Sequence, residues 1–453
     1  MRKVTIIGGG GVRTPLVIYG LAQAQPMLQL GELTLFDVDE QRAATIARLG
    51  REIVRQSGNH FGIKTASHLE SAVEDADFIL NSVRVGGMSA RARDERIAID
   101  HGMAGQETTG PGGAAMALRT LPITLSHVHT IQRVAPNAWF INLTNPAGLI
   151  TQAITQETTL RVIGICDTPI ELFHRIAEVL SEPYRDMTFD YAGLNHLGWV
   201  RRVLLRGKDI TERILSDTPL LRKIYPTNLF DPALIQALRL IPTEYLFFYY
   251  SQRKAHRNQV QAGASRGEEL VRMNDGLFQQ LAAEDNAKAL QTYRDYLLRR
   301  NASYMKLEAE AGSAFTVDEQ GQDPFDAATG YHRIALDVIT GLVSDTPREV
   351  VVNVRNNGVI EDLEPDDIVE VPCDLDRSGA RPRRTGRLPD SVRGLVQSVK
   401  AYERTAIRAA LASSRSLAHL AMLEYPIIGQ WEVATEVLQS LCKNDPEGLG
   451  YLK

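Results

Sequence analysis

The sequence predicts an α/β fold, in which a Rossmann-like, doubly wound parallel sheet is followed by an α+β domain. Over the first 170 residues, short apolar runs rich in β-branched residues alternate with stretches of helical period. This alternation is typical of parallel strands that crossover helices cover on both faces. A chain of 453 residues is also longer than one compact core usually requires. We therefore predict two domains, residues 1–170 and residues 171–453.

The predicted strands of the first domain are near-continuous apolar runs, and they cover residues 4–8, 32–37, 76–83, 138–144 and 161–166. The predicted helices between them include residues 15–24, 43–56, 115–135 and 146–155. In sheets of this kind, ligands bind beyond the carboxyl ends of the strands. Functional residues are therefore expected just after the strand ends, which are Gly8, Asp37, Val83, Thr144 and Cys166.

The second domain has a less regular pattern. Strand-like runs at residues 187–194, 199–207 and 348–363 lie among long helical stretches, which indicates an α+β domain. Residues 318–332 are rich in Gly, Asp and Gln and are predicted to form a loop or mobile connection. The last sixty residues have helical period and are predicted to form packing helices.

Composition excludes several classes of function. The net charge is −5 and Lys and Arg are spread evenly, so a nucleic-acid partner is not expected. No apolar run reaches the roughly 18 residues of a membrane span, and the amino terminus does not resemble a signal peptide. The three cysteines, Cys166, Cys373 and Cys442, are too few and too far apart for a disulfide framework. We therefore predict a cytoplasmic protein without a membrane partner, in which Cys373 and Cys442 are structural.

The run GGGGVRT follows the first strand and opens a helix, which is the context that a dinucleotide fingerprint requires. Two of its glycines allow a tight turn and close approach to a pyrophosphate, and an arginine occupies the position of the third. An acid at the end of the second strand is placed to bind a ribose hydroxyl, which favours NAD over NADP. The alternative is a glycine turn that binds no nucleotide. The predicted NAD-binding residues are Gly8, Gly10, Gly11, Arg13 and Asp37.

Two polar loops and a Cys–His pair follow later strands. The run ARARDER alone would fit a solvated helix face, whereas GQETTGPGG combines polar side chains with glycines that let a ligand approach the backbone. A second loop is NLTNPAG. Cys166 ends a strand, and His196 lies thirty residues later in the turn of GLNHLGW. Thiolate and imidazole suit a transition metal, but a buried Cys and His without function explain the spacing equally well.

Taken in order, eight motifs resemble those of glycoside hydrolase family 4, the NAD- and metal-dependent 6-phospho-glycosidases. They are IIGGGGVRTP, NSVRVGG, ARARDERI, GMAGQETTGPGG, NLTNPAG, GICDTP, GLNHLGW and RNNGVIEDL. This family is an exception to hydrolysis by two carboxylates. The resemblance implies that NAD⁺ oxidises sugar carbon 3, a base removes the proton on carbon 2, and the aglycone leaves from carbon 1. Water then adds and the hydride returns. It also implies a divalent metal, Mn²⁺ or another, that stabilises the charged intermediate.

The resemblance also implies roles for individual residues. Cys166 and His196 resemble the Mn²⁺ ligands, and Tyr245 resembles the base, with Tyr249 and Tyr250 as second choices within the same aromatic run. Glu107 resembles a carboxylate that raises the basicity of the tyrosine. The residues that resemble substrate-binding positions are Arg91, Asn145 and Arg266, the last for the sugar phosphate.

Two features of the sequence disagree about the anomer of the substrate. Asp167 resembles a general acid of members that act on α-linked sugars, whereas β-acting members often have Asn there. The loop RVGGMSARARDER resembles the β type, since α-type members usually have lysine and tyrosine where Gly87 and Met88 stand. We give the longer match more weight and predict a 6-phospho-β-glucosidase. A 6-phospho-α-glucosidase, or an enzyme of unphosphorylated α-galactosides or galacturonides, remains the alternative within the family.

Two functions outside this family stay open at the level of sequence. A plain NAD-dependent 2-hydroxy acid dehydrogenase would share the nucleotide domain but would not need GQETTGPGG or NHLGW. A regulator that binds NAD without catalysis would not need Cys166, His196 and Tyr245. The predicted ligand of the enzyme is a phosphorylated disaccharide or aryl glycoside. The helical carboxyl end and the resemblance suggest a homodimer or homotetramer.

Overall fold

The computed structural model describes residues 1–225, 229–304 and 323–453. Its first six strands are β1 (Arg2–Ile7), β2 (Leu30–Phe36), β3 (Gly62–Ala66), β4 (Phe78–Asn81), β5 (Trp139–Asn142) and β6 (Arg161–Gly164). They pair in parallel in the order β6-β5-β4-β1-β2-β3, which confirms the predicted doubly wound sheet. Strand β3 was not predicted because it is an edge strand with one buried side chain, Ile63, and so it lacks an apolar run.

Helices cover both faces of this sheet, and they are α1 (Thr14–Leu28), α2 (Glu40–Ser57), α3 (Leu69–Val73), α4 (Gly87–Asp100), α5 (Gly110–Val134), α6 (Ala147–Glu157) and α7 (Thr168–Val179). The charged run ARARDER lies in α4, and it is not simply a solvated face. Arg91, Asp94 and Glu95 on this helix are all buried. The reason is that α4 packs against α5 on one side and contributes charged groups to the candidate site on another.

The later strands continue the same sheet with antiparallel pairing, and they are β7 (Met187–Leu194), β8 (Leu197–Leu205), β9 (Lys208–Asp209), β10 (Ile241–Pro242), β11 (Arg348–Arg355), β12 (Ile368–Asp376) and β13 (Gly379–Pro382). The main path runs β10-β8-β7-β12-β11-β6, so the sheet is unbroken beyond β6. The predicted strand at 348–363 was too long. It ends at Arg355 because the chain then turns through Asn357 and Gly358, whose φ values are +45° and +83°.

The remaining helices are α8 (Thr211–Ser216), α9 (Thr218–Ile224), α10 (Pro232–Leu238), α11 (Phe247–Tyr250), α12 (Gln252–Ala262), α13 (Arg266–Ala283), α14 (Asn286–Ala302), α15 (Tyr331–Leu342), α16 (Asp390–Leu411), α17 (Arg415–Glu424), α18 (Trp431–Asn444) and α19 (Pro446–Leu449). Short 3₁₀ helices occur at Tyr184–Asp186, Glu244–Leu246 and Pro324–Asp326. The helical carboxyl end agrees with the prediction. Of the predicted loop 318–332, residues 318–322 lie outside the described part, and α15 begins at its end.

The predicted domain boundary at residue 170 falls within the first turn of α7, and the division into two domains stays a prediction. Cys373 lies buried in β12 and Cys442 is half-buried on α18, which fits a structural role for both. Among the helices of the described residues, none combines the length and apolar character that crossing a membrane requires.

A buried ion-pair cluster joins the last helices to the first half of the chain. Arg119 on α5 is 1% exposed, and it donates two hydrogen bonds of 2.9 Å to Asp94 and a third to Asp445. Replacing Arg119 with methionine would leave the Asp94 carboxylate in the interior without its hydrogen-bonded cation, whereas Asp445 would keep its contact with Arg93 at 3.1 Å. We expect Arg119→Met to lower the free energy of unfolding by about 3–5 kcal/mol in urea titrations. The matched change Arg133→Met removes a pair with Glu70 that is mostly exposed, and it should cost under about 1 kcal/mol. Equal losses would contradict this account.

Candidate active site

The predicted site residues gather beyond the carboxyl ends of the parallel strands. The glycine turn follows β1, Asn145 follows β5 and Cys166 follows β6. They are joined there by Arg84, which follows β4 and was not assigned from the sequence. Strands β1 and β4 are neighbours whose connections run to opposite sides of the sheet, and crevices form at such a switch point. The turn between β7 and β8 and the 3₁₀ helix Glu244–Leu246 bring further side chains to the same edge.

The glycine turn after β1 fits a dinucleotide. Gly8 has φ of +83°, and a Cβ there would lie 2.5 Å from the carbonyl oxygen of Ser82, so only glycine fits. The amide of Gly10 donates to Asp37 Oδ2 at 2.8 Å, which fixes the acid beside the turn. Within the described chain, the amides of Val12 and Arg13 have no hydrogen-bond acceptor and lie just before α1. Amides at a helix start are suited to bind a phosphate. Of the predicted NAD-binding residues, Gly11 completes the turn by donating from its amide to the Gly8 carbonyl at 3.1 Å.

Cys166 is buried two residues after the end of β6, and its thiol donates to the hydroxyl of Thr168 at 3.3 Å. Burial raises the pKa of Cys166 well above its usual value, and the negative charges of Glu370 and Asp167 raise it further. Cys166 is therefore a thiol unless a cation lies beside it. A bound metal would supply that charge and hold the sulfur as thiolate.

His196 lies in the turn between β7 and β8, with φ of +61°, and burial lowers its pKa to about 4. The imidazole is therefore neutral at neutral pH, as a metal ligand must be. The Thr108 hydroxyl lies 2.9 Å from Gln106 Oε1 and 2.9 Å from His196 Nδ1. With the hydroxyl hydrogen on Gln106 Oε1, Nδ1 carries the imidazole proton and donates to Thr108. No hydrogen bond joins Nε2 to another residue of the described ranges. This nitrogen thus keeps its lone pair for a metal.

The donor set of Cys166 and His196 fits a first-row divalent metal. In the described part of the chain there is no cluster of three or more His, Cys, Asp or Glu side chains able to hold a metal. Two protein ligands leave positions open for oxygens of a ligand. Cys166 and His196 are the residues that would hold the metal, and their roles stay a prediction.

The ring of Tyr245 stacks on His196, with centroids 3.8 Å apart and an interplanar angle of 6°. Its hydroxyl lies 3.5 Å from that of Tyr304. Burial raises the pKa of Tyr245 well above 10, and the charges of Glu107 and Glu244 raise it further. The second choices lie elsewhere: Tyr249 meets Tyr425, hydroxyl to hydroxyl, at 3.1 Å, and the Tyr250 hydroxyl is buried without a described partner. Of the three tyrosines, the structure brings Tyr245 to His196.

Glu107 is held between two arginines, bonding to Arg84 and lying 2.9 Å from Arg91 Nη1. Burial raises the pKa of Glu107, whereas the positive charges of Arg84, Arg91 and Arg13 lower it. Together the arginines have the larger effect, so the pKa lies below its usual value. This carboxylate is ionised. Arg91 also donates to Glu95 at 2.7 Å and is buried, so its observed contacts are with two carboxylates. Its predicted contact with substrate stays a prediction.

Asp167 precedes α7, and Arg13 Nη1 lies 3.9 Å from its Oδ2. Burial raises the pKa of Asp167 to about 6, even though Arg13 acts in the opposite direction. The guanidinium of Arg13 also lies 4.2 Å from the ring centroid of Tyr331, whose hydroxyl accepts a hydrogen bond from Asn145 Nδ2 at 3.3 Å. The glycine turn, the β5 loop and the start of α7 thus meet around one arginine.

Arg266 begins α13 and bonds to Glu269 at 2.6 Å and to the carbonyl of Arg300 at 3.0 Å. Arg300 on α14 has no carboxylate partner among the described residues. Burial and the positive charges of Arg13 and Arg266 lower its pKa. Arg13 and Arg266 thus lie close enough to repel Arg300, and a bound anion would offset this repulsion.

Several residues of the site were not assigned from the sequence. Thr108 lies inside the quoted motif GQETT, so the motif was found but not this side chain's role. Arg300 lies in an ordinary helical pattern, Tyr331 lies in the predicted loop 318–332, and Glu370 lies in a strand that was not predicted. No local pattern marked them as site residues, because only the fold brings them to this edge.

Two family models match the chain. "Family 4 glycosyl hydrolase" matches residues 3–182, and "Family 4 glycosyl hydrolase C-terminal domain" matches residues 191–428. The chain is similar to the "Probable 6-phospho-beta-glucosidase" of Bacillus subtilis, with 30% identity over 97% of this chain and 95% of that protein.

Solved structures with the same overall fold include both a 6-phospho-beta glucosidase and a 6-phospho-alpha-glucosidase. The 6-phospho-beta glucosidase of Thermotoga maritima with manganese, NAD⁺ and glucose-6-phosphate has a TM-score of 0.81 and 27% identity, over 99% of both chains. A 6-phospho-alpha-glucosidase from gut microorganisms, in complex with NAD and glucose-6-phosphate, has a TM-score of 0.82 and 27% identity, over 99% of this chain and 98% of that one.

Proposed function

Since the chain belongs to family 4 of the glycosyl hydrolases, we propose that it hydrolyses 6-phospho-β-glucosides with NAD⁺ and Mn²⁺ as cofactors. The observation that carries the proposal is the meeting of three groups at one sheet edge. They are a glycine turn suited to a dinucleotide, a neutral histidine whose Nε2 is available to a metal, and a tyrosine stacked on that histidine. The relatives named as 6-phospho-beta-glucosidases support the same reaction.

The residues of the glycine turn would hold NAD⁺, and Cys166 and His196 would hold Mn²⁺. When bound, the two groups supply hydride transfer at sugar carbon 3 and electrostatic stabilisation of the charge that develops on the oxygens of carbons 2 and 3. Asp37, beside the turn, is placed for a ribose hydroxyl. Thr108 keeps the proton of His196 on Nδ1, so that Nε2 faces the metal position with its lone pair.

In this proposal Tyr245 removes the proton on sugar carbon 2. Burial and Glu107 raise its pKa, so the tyrosine becomes a base at neutral pH only beside positive charge. Its stacking on His196, a proposed metal ligand, supports this role. Glu107 stays ionised through its arginine partners. This fixed negative charge strengthens the affinity of the phenolate for a proton, and hence its basicity.

We propose that Asp167 gives a proton to the departing aglycone. With a pKa raised to about 6 by burial, the carboxylic acid form is available close to neutral pH. Arg13 and Tyr331 limit where the side chain can point. In the proposal, Asn145 orients a sugar hydroxyl beside this acid, and its hydrogen bond to Tyr331 supports this role.

The sugar phosphate would lie at the basic cluster of Arg13, Arg266 and Arg300. A phosphate would offset the mutual repulsion of these cations, and a guanidinium fork matches its oxygens. Arg266 already bonds Glu269, so we propose that it orders the cluster and that Arg300 contributes the larger share of the phosphate contact.

The β anomer rests on the loop that begins α4. Gly87 has φ of +64°, a conformation that lysine, the α-type residue there, would adopt only with strain of roughly 1–2 kcal/mol. A backbone of this form favours the β-type loop. The presence of Asp167 is compatible with a β-linked substrate, since oxidation at carbon 3 makes elimination possible from either anomer. The relatives include both classes, so the anomer needs a direct test.

The test is a panel of nitrophenyl sugars, α and β, with and without the 6-phosphate, assayed with and without NAD⁺ and Mn²⁺. We expect release of nitrophenol from the 6-phospho-β-glucoside only when both cofactors are present, without net NADH. Hydrolysis indifferent to both additives would refute the mechanism. Net NADH with a 2-hydroxy acid would indicate a dehydrogenase, and NAD binding without turnover of any glycoside would indicate a regulator.

We propose that the substrate of the enzyme in the cell is a phosphorylated disaccharide, and that phosphorylated aryl glycosides can replace it in the assay. We keep a homodimer or homotetramer as part of the proposal, which light scattering of the purified protein would decide. A cytoplasmic location is also proposed. It is supported by the requirement for NAD⁺ and by three cysteines that are all free.

A further inference from the structure

Glu370 on β12 is a buried carboxylate without a cation. It is 2% exposed, and no Lys, Arg or His of the described ranges pairs with it. Its Oε1 accepts hydrogen bonds from Asn195 Nδ2 at 3.2 Å and from Asn353 Nδ2 at 3.0 Å, and its Oε2 accepts one from the Tyr191 hydroxyl at 2.7 Å. Burying an ionisable group away from a counter-ion is unfavourable, so the three donors must offset much of that cost.

The position of Glu370 in the sheet is unusual. It pairs with Asn353 on β11, and these two residues are the middle of a row of paired residues that crosses β6, β11, β12 and β7. On one side Asn353 is the single residue of β11 paired with β6, through Gly164. On the other side Glu370 is the single residue of β12 paired with β7, through Gly193. The backbone therefore links these strands at only one residue pair on each side.

The two outer strands of this row lead directly to the proposed metal ligands. Cys166 follows Gly164 by two residues, and His196 follows Gly193 by three. Because β6 pairs with β11, and β12 with β7, at only one residue pair each, side-chain hydrogen bonds must help to set the distance between the ends of β6 and β7. The bonds of Glu370 to Asn195 and Asn353 lie between them.

Asn195 extends the connection to a second loop. Its Oδ1 accepts a hydrogen bond from the amide of Ala147 at 3.0 Å, and that backbone donor fixes the orientation of the side-chain amide, with Nδ2 toward Glu370. Ala147 lies two residues after Asn145, and Asn195 directly precedes His196. One side chain thus ties the turn of the proposed metal ligand to the loop of a proposed substrate ligand.

We propose that Glu370 is a positioning residue that, through hydrogen bonds to Asn195 and Asn353, sets the spacing of Cys166 and His196 for a divalent metal. This inference rests on the proposed function, because it assumes that the two residues hold the metal. Outer-shell partners of metal ligands commonly alter affinity by about 10–100-fold when they are removed.

The test is the affinity for Mn²⁺, measured by isothermal titration calorimetry with the full chain and without substrate. We expect Glu370→Ala to weaken Mn²⁺ binding by about 10–100-fold. Glu370→Gln should stay within about threefold of wild type, because its carbonyl can accept both asparagine bonds and its amide can donate to Tyr191. Equal loss in both variants would overturn positioning by hydrogen bonds and would favour an effect of the charge.

Asn195→Ala is the second variant, in case Glu370→Ala does not fold. It removes the bridge but leaves Glu370 two donors, and it should weaken Mn²⁺ binding to a similar extent. The matched control is Tyr191→Phe, which removes one bond to Glu370 on the oxygen that Asn195 does not use. The control should lower the thermal midpoint while Mn²⁺ affinity stays within about threefold.

Four outcomes therefore separate the two proposals. Wild-type protein that binds no Mn²⁺ overturns the proposed function and this inference with it. Wild-type binding with unchanged affinity in the folded Glu370→Ala or Asn195→Ala variant overturns this inference alone. A loss in Tyr191→Phe as large as in Asn195→Ala would also overturn it, since general stability would then explain both. Losses confined to the Glu370→Ala and Asn195→Ala variants support it.

Discussion

Replacing Tyr245 with phenylalanine is expected to lower kcat for the 6-phospho-β-glucoside by roughly 10²–10⁴-fold, the usual contribution of a general base. The change removes only the hydroxyl, so the ring remains stacked on His196 and the proposed metal position should keep its shape. KM should change little, because the hydroxyl acts on a carbon-bound proton and contributes little to binding. Steady-state release of nitrophenol with saturating NAD⁺ and Mn²⁺ measures the loss.

A second measurement distinguishes a base from a general structural role. Hydride transfer from carbon 3 precedes removal of the proton on carbon 2. A variant blocked at proton removal should therefore still form enzyme-bound NADH in a single turnover. Deuterium at carbon 2 should slow the wild-type enzyme if this proton transfer limits the rate.

Tyr249→Phe and Tyr250→Phe are the matched controls, since they alter neighbouring tyrosines of the same aromatic run. Tyr249 pairs with Tyr425, and neither of these tyrosines stacks on His196. Both variants should retain kcat within a few-fold of wild type. A large loss in either, with normal activity in Tyr245→Phe, would show that the base was assigned to the wrong tyrosine.

The parallel half of the fold could be predicted because buried strands have a clear sequence signal. All four residues of β4 are buried, and such a run has few alternative structures. Strand β12 was missed although it too is largely buried. Its run IVEVPCDLD contains Glu370, a proline and two aspartates, which interrupt the apolar pattern. Glu370, one of the polar residues that interrupt this pattern, is the residue that we propose positions the metal ligands.

The site could be predicted only where its residues lie within ordered motifs. Cys166, His196 and Glu107 were found because their motifs, GICDTP, GLNHLGW and GMAGQETTGPGG, resemble those of the family, although Glu107 lies between α4 and α5 rather than after a strand. Arg300 lies on a helix with ordinary periodicity and Tyr331 lies at the end of a predicted loop, so nothing local distinguishes either as a site residue. Contacts across the chain, such as Asn145 with Tyr331, depend on the packing of distant helices and cannot be derived from spacing.

Cys166→Ser is expected to weaken Mn²⁺ binding by at least about 100-fold, which is more than the loss of an outer-shell partner causes. A serine hydroxyl is far harder to deprotonate than a thiol, and the site already opposes negative charge because burial and two carboxylates raise the pKa at this position. The serine can still donate to Thr168, so folding should be preserved. Calorimetric titration with Mn²⁺ measures the loss, and thermal melting checks the fold.

Cys442→Ser is the control for a general effect of losing a thiol, since this cysteine is half-buried on α18. It should leave Mn²⁺ affinity unchanged. NAD⁺ binding offers the sharper comparison within Cys166→Ser itself, because the glycine turn follows β1 and the hydrogen bonds of the sulfur within the described residues go to Asp167 and Thr168. If the serine variant lost NAD⁺ and Mn²⁺ together, a damaged sheet edge would explain both. Loss of Mn²⁺ affinity with NAD⁺ affinity retained would instead assign the sulfur of Cys166 to the metal, as the proposal that Cys166 and His196 hold the metal requires.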